Sequence, residues 1–125
     1  MSKETVLSDH KYVLIMAETC SDPVYDIEGI SACIEELPVS KDLEKRLMDW
    51  GKHYDNYDTD PPEDYPFFDM YAFCAEGYAL AQEVKKELPD WTVVFYDEGK
   101  RMYHNGERWK YSYGMRPDEC LSEIY

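Results

Sequence analysis

The chain has 125 residues, the length of one ordinary domain, and its 44% hydrophobic content, with 12 Tyr, 4 Phe and 3 Trp, excludes a compositionally disordered polymer. With 27 acids against 13 bases the formal net charge is −14, beyond the magnitude of about 2–8 usual for the surface of a small soluble domain. Such a surface repels nucleic acid and anionic lipid, whose binding depends on Lys and Arg, and it attracts and steers a basic partner.

Residues 1–10 are polar, carry no apolar run that reads as a signal peptide, and are expected to be irregular. Lys11 to Glu18, KYVLIMAE, reads as a buried strand. Ser21-Asp22-Pro23 is turn chemistry, and Val24 to Ile34 reads as a small hairpin turning near Glu28-Gly29. Ser40 is placed to cap a helix, with Asp42 near its positive end. Leu43, Leu47, Trp50 and Tyr54 follow at spacings of one helical face, and Lys41, Lys45 and Asp49 lie opposite. The pattern stops between Asp55 and Asp69, where Pro61, Pro62 and Pro66 interrupt it.

A second helix is expected from Asp69, with Phe73, Gly77, Leu80, Ala81, Val84 and Leu88 on one side. Gly77 weakens that helix but permits close approach by another element, and Pro89 follows its natural end. Trp91 to Tyr96, WTVVFY, is the strongest strand signal in the chain. Asp97-Glu98-Gly99 is a turn, Lys100 to His104 a short strand, and Asn105-Gly106 a tight-hairpin signal. Glu107 to Tyr113 then alternates polar and aromatic residues. The last dozen residues, 114–125, are acidic and expected to be irregular. The predicted fold is a single α+β domain over 1–125. It has a mainly antiparallel sheet of four or five strands, ends in a three-strand meander, and carries two helices on one face.

No phosphate-binding Gly-rich loop, H-E-x-x-H or G-x-S-x-G occurs. Cys20, Cys33, Cys74 and Cys120 form no C-x-x-C pair and match no zinc module. They fit a reduced, cytoplasmic chain. Asp55-Asn56-Tyr57-Asp58-Thr59-Asp60 with Glu63 and Asp64 is rich in oxygen ligands. Calcium-loop register nevertheless fails in both settings: position six, which needs Gly, is Asp60 counting from Asp55 and Glu63 counting from Asp58. No cofactor, metal site or catalytic residue is predicted, and the chain is read as a non-enzyme.

The distribution of charge says more than its sum. Tyr12 to Ser40 holds six acids and no Lys or Arg; His53 to Val84 holds eight acids and again no Lys or Arg. Lys100, Arg101, Arg108, Lys110 and Arg116 instead concentrate in the predicted C-terminal hairpin. The acidic stretch after the first helix is interleaved with aromatics, and Tyr beside carboxylates gives contact area together with steering. Asp55, Tyr57, Asp58, Asp60, Glu63 and Asp64 are therefore the candidate partner-binding residues.

One series of residues resembles a pattern in small acidic bacterial proteins. Pro23-Val24-Tyr25-Asp26 and Gly29 are followed by Glu36-Leu37-Pro38-Val39-Ser40, then by Leu43, Leu47 and Trp50, a proline-rich acidic loop, and Phe73, Gly77, Leu80, Val84, Glu87 and Leu88. The likeness spans about residues 11–96 and departs at Tyr25, where the pattern prefers Trp. Many such proteins resemble immunity proteins of bacterial toxin systems. The shared positions are core and turn positions, so they bear on the fold more than on function, and no catalytic residue carries over. The resemblance implies a cytoplasmic protein that binds a basic toxin domain. Toxins that cut nucleic acid must be basic to hold it, and an acidic inhibitor can cover that site.

The function expected on these grounds is neutralisation of a cationic bacterial toxin domain, a nuclease being one such class, by a protein that binds neither nucleic acid nor membrane. Three alternatives use the same residues differently: a phage-type DNA mimic, a small enzyme pairing Cys33 or Cys74 with a histidine, and a regulatory oligomer subunit joined through the Tyr-rich final strand.

Overall fold

A computed structural model describes residues 6–18, 21–59, 70–98 and 120–125, with 55–59 and 70 described by their backbone. The elements in chain order are α1 (Val6–His10), β1 (Tyr12–Ile15), β2 (Val24–Tyr25), a 3-10 turn (Ile34–Glu36), α2 (Lys41–Thr59), α3 (Met70–Glu87), β3 (Thr92–Tyr96) and β4 (Leu121–Ile124). The arrangement is α+β, with a mixed four-stranded sheet in the order β2-β1-β3-β4. Two of its three pairings are antiparallel; the central one, β1 with β3, is parallel, in register Val13↔Val93, Leu14↔Val94 and Ile15↔Phe95.

The central strands read as continuous apolar runs because both of their faces are buried. Val13, Ile15, Val93 and Phe95 point into the larger core cluster, beneath Leu43, Leu47 and Trp50 of α2 and Phe73, Leu80, Ala81 and Val84 of α3. Leu14, Met16, Val94 and Tyr96 point the other way, into a second cluster with Tyr25 and Cys120. Successive side chains of a strand alternate sides, so one apolar run supplies two clusters.

Local chemistry sets the ends of these elements. The Ser40 hydroxyl caps α2, accepting from the Leu43 N–H at 3.2 Å. Ser40 is itself held by Glu87 of α3, whose carboxylate accepts from the Ser40 N–H at 2.6 Å and from its hydroxyl at 2.8 Å. The expected hairpin after Pro23 is present. Asp26, only 7% exposed, accepts from the N–H groups of Glu28 and Ile30 at 2.8 and 3.0 Å. Gly29 takes the left-handed φ of 80° that the turn needs, and the chain returns to bridge Tyr25 with Ser31. Gly77 lets α3 settle onto its neighbours: an added Cβ would lie 2.7 Å from Phe95 Cε1 and 2.8 Å from Trp50 Cε2. Trp50 is fixed there by stacking on Phe73 at 4.7 Å and by donating from Nε1 to the Phe73 carbonyl at 2.9 Å.

Several expectations need correction. Residues 6–10 form α1, with Leu7 fully buried, so the N-terminal stretch is not irregular throughout. Residues 121–124 are likewise a strand, β4, paired antiparallel with β3. β3, expected at the start of the meander, sits inside the sheet, with β1 on one side and β4 on the other. The first strand is shorter than Lys11–Glu18, spanning Tyr12–Ile15. Helix α2 runs on past Tyr54 to Thr59; Pro61 comes soon after, and the residue before a proline is steered away from helical backbone. The predicted strands at 100–104 and 107–113, with Lys100, Arg101, Arg108, Lys110 and Arg116, lie outside the described residues.

Candidate functional site

The two acidic stretches do different work. In the first, carboxylates tie down the backbone and the core edge. Besides the Asp26 turn, Asp22 accepts from the Ile34 N–H at 2.9 Å, Glu36 from the Cys33 N–H at 2.7 Å and Glu18 from the Tyr25 hydroxyl at 3.0 Å. Four of the six acids between Tyr12 and Ser40 are thus used in building the fold.

The second stretch begins where α2 runs out. The inner face of α2 stays docked through Tyr54, 8% exposed, whose ring lies 5.7 Å from that of Phe73. His53 sets its ring edge-on to the same phenylalanine at 6.0 Å. The helix then continues through Asp55, Tyr57 and Asp58 to Thr59, and its last turn contains no basic residue. Unsatisfied carbonyls make a helix C-terminus partially negative, so carboxylates there are disfavoured by about 0.3–1 kcal/mol each. Asp58, in that last turn, therefore occupies a position that local stability would give to Lys or Arg, and Asp55 stands one turn earlier. Of the six predicted contact residues, Asp55, Tyr57 and Asp58 share this helix end; Asp60, Glu63 and Asp64 lie outside the described residues.

Charge elsewhere on the helices is balanced. Lys45 meets Asp49 at 2.7 Å and Lys41 meets Glu44 at 3.5 Å. Arg46 reaches Asp42 at 3.0 Å and grips Glu83 of α3 with both terminal nitrogens, one contact at 2.9 Å. These hydrogen bonds hold the Glu83 carboxyl below its ordinary pKa.

The residues that could have suggested chemistry are scattered. Cys74 is buried in the main core and Cys120 in the second cluster. Cys33 is exposed. Asp22, Cys33 and Glu35 bring one ligand atom each within 4.8 Å of one another. Asp22 already serves the Ile34 N–H, and Cys33 and Glu35 lie open to water, a grouping that an acidic surface produces without any ion. Sequence reasoning did not anticipate this trio, because its members come from two separate turns. Among the described residues no helix is long and apolar enough to cross a membrane.

A search of curated proteins found no match. Residues 11–98, well over half of the chain and nearly the span of the resemblance noted above, match the model of one protein family. That match takes in β1, the hairpin, both long helices and β3, and on it the chain belongs to the Serratia CdiI immunity protein-like family.

Proposed function

We propose that this protein binds and neutralises a cationic toxin domain, and that the contact is the acidic, Tyr-bearing surface where α2 ends: Asp55, Tyr57 and Asp58, continued by Asp60, Glu63 and Asp64. Membership of an immunity protein family supports a role exercised by binding a cognate toxin. The observation that favours this surface is that α2 ends in an acidic stretch whose last turn holds no basic residue. Carboxylates at the negative end of a helix do not serve the helix, and steering a positively charged partner is a purpose they suit. A toxin that cleaves nucleic acid would present such a basic face. In this reading the protein acts by occlusion and not by catalysis, in the cytoplasm, with no nucleic acid or membrane as ligand.

Capture from native host lysate at low and high salt, with the retained polypeptide identified by mass, tests the partner. Recovery of one basic polypeptide, released by salt, supports the reading; recovery of nothing but the protein itself opposes it. Once the partner is in hand, a variant combining Asp55→Asn, Asp58→Asn and Asp60→Asn should slow association about tenfold or more at low salt. An unchanged association rate and salt slope would remove this surface from the contact.

A further inference from the structure

The turn that follows β2 is tightly held, yet it presents apolar side chains to water. The Asp26 N–H donates to the Ile30 carbonyl and the Gly29 N–H to the Asp26 carbonyl, both at 2.9 Å, and the Ala32 N–H donates to the Val24 carbonyl at 3.0 Å. The buried Asp26 carboxylate takes the Glu28 and Ile30 N–H groups on one oxygen. At the foot of the loop Asp22 holds the Ile34 N–H. Turns ordinarily carry Gly, Pro, Asn, Asp or Ser; here the projecting residues include Ile27, 49% exposed, and Ile30, 57% exposed. Among the described residues the other large aliphatic side chain so exposed is Val6, in α1. Apolar residues scattered singly on a surface need no explanation, but these two share one rigid turn.

The acids of this segment divide in a telling way. Of the six between Tyr12 and Ser40, Glu18, Asp22, Asp26 and Glu36 are engaged in hydrogen bonds within the fold. The other two, Glu28 between the isoleucines and Glu35 on the returning chain, are exposed. The segment contributes no Lys or Arg. Its tip is therefore an apolar pair with negative charge beside it. Isoleucine is stiff at χ1, and the backbone beneath is already fixed. Little conformational freedom is left to lose when a partner covers the tip, which is what a pre-organised contact requires.

We infer that Ile27 and Ile30 are the apolar anchor of the toxin contact, seated in an aliphatic hollow on the toxin with a Lys or Arg at its rim opposite Glu28. This rests on the immunity reading above, but not on the surface at the end of α2. Charge selects the occupant. A second copy, itself of net −14, brings like charge toward Glu28 and Glu35, and an anionic membrane is repelled in the same way; a basic protein is drawn to them. The two surfaces then have separate tasks. The acids at the end of α2 steer the encounter and act on the association rate. The isoleucines hold the complex once formed and act on the dissociation rate.

Biolayer interferometry on the full chain, with the basic polypeptide recovered by the capture experiment purified and immobilised, tests this. Ile27→Ser and Ile30→Ser should each raise the dissociation rate about tenfold, and the double variant about 100-fold. The association rate and its salt slope should stay as in the unaltered protein. Both side chains are exposed, so circular dichroism and melting temperature should not move, and each single variant carries the test if the double variant disturbs the fold. An unchanged dissociation rate in these variants, with the unaltered protein binding, overturns the proposal and leaves the immunity reading standing. Recovery of no basic polypeptide overturns both. Self-association at millimolar concentration, or retention on phosphatidylcholine vesicles, that the double variant abolishes assigns the turn to a second copy or to a membrane and also overturns the proposal.

Discussion

Helices α2 and α3 lie side by side on one face of the sheet, and their outward surfaces share almost nothing. Along its first half α2 is laced with ion pairs, Lys41 with Glu44, Arg46 with Asp42 and Lys45 with Asp49. Between Tyr71 and Gln82 the exposed surface of α3 is tyrosine, alanine and Gln82 with one glutamate, and its charges gather in the last turn and a half. Their inward surfaces are alike, each a row of fully buried apolar side chains on the same strands. The sheet therefore does not explain the outward difference. In a chain of −14 the excess acid is not spread evenly: it is balanced along the start of α2, sparse between Tyr71 and Gln82, and gathered in the stretch before α2 and in the one at and beyond its end. Charge in this protein is placed, and each placement can be tested alone.

The inner faces should dominate stability. Gly77→Ala puts a methyl group against the rings of Trp50 and Phe95, which their own packing holds in place. Overpacking should exceed the roughly 1 kcal/mol gained in helix propensity, for a net loss of about 2 kcal/mol in urea unfolding. Trp50→Phe on the facing helix removes the bond to the Phe73 carbonyl and leaves a void, and about 2 kcal/mol should again be lost. If either change were neutral, the tight crossing of the helices would not be what holds them.

The contrast between acids is sharper still, because the signs differ. Asp26→Ala strips two backbone N–H groups of their acceptor and should destabilise by about 1–2 kcal/mol in the same assay. Asp58→Lys complements the α2 dipole and should stabilise by about 0.5 kcal/mol while weakening toxin binding. Opposite movement of melting temperature and affinity is the signature to look for. The smallest effect belongs to the outer edge between the helices. Arg46→Ala should change melting temperature little, and that little should vanish in high salt. Since Arg46 lowers the Glu83 pKa, the pair's contribution is complete above the ordinary glutamate pKa and fades as pH falls through the lowered value. Acid titration of the variant should lack that limb.

Much of this scaffold was legible in the sequence, and the reasons are specific. The spacing of Leu43, Leu47, Trp50 and Tyr54 and the cap at Ser40 located α2, and WTVVFY located β3, because burial and capping leave periodic or compositional marks. Gly77 was read as a point of close approach, which it is. What escaped notice depends on partners distant in sequence. LSEI in β4 has neither apolar alternation nor strong strand propensity and is a strand because β3 offers it backbone hydrogen bonds. Helix α1 is only five residues long and is anchored by Leu7. The parallel pairing of β1 with β3 follows from the crossover through two helices, which no local pattern announces. The candidate contact residues were chosen from composition and charge order alone; the helix-end position of Asp55 and Asp58 needed the observed length of α2.

That parallel pairing also governs how the molecule is made. Tyr12 pairs with Thr92, so β1 is translated early, can meet β2 at once, and lacks its other neighbour until both helices and β3 have left the ribosome. At synthesis rates of about 5–20 residues per second the wait is on the order of ten seconds, during which Val13, Leu14 and Ile15 are an unpaired apolar edge in the nascent chain. Contacts this distant in sequence also slow the final closure. A cell relying on this protein thus cannot shorten the interval before the first folded copies exist simply by starting translation faster, and chaperones that shield hydrophobic strands on the ribosome become part of the supply.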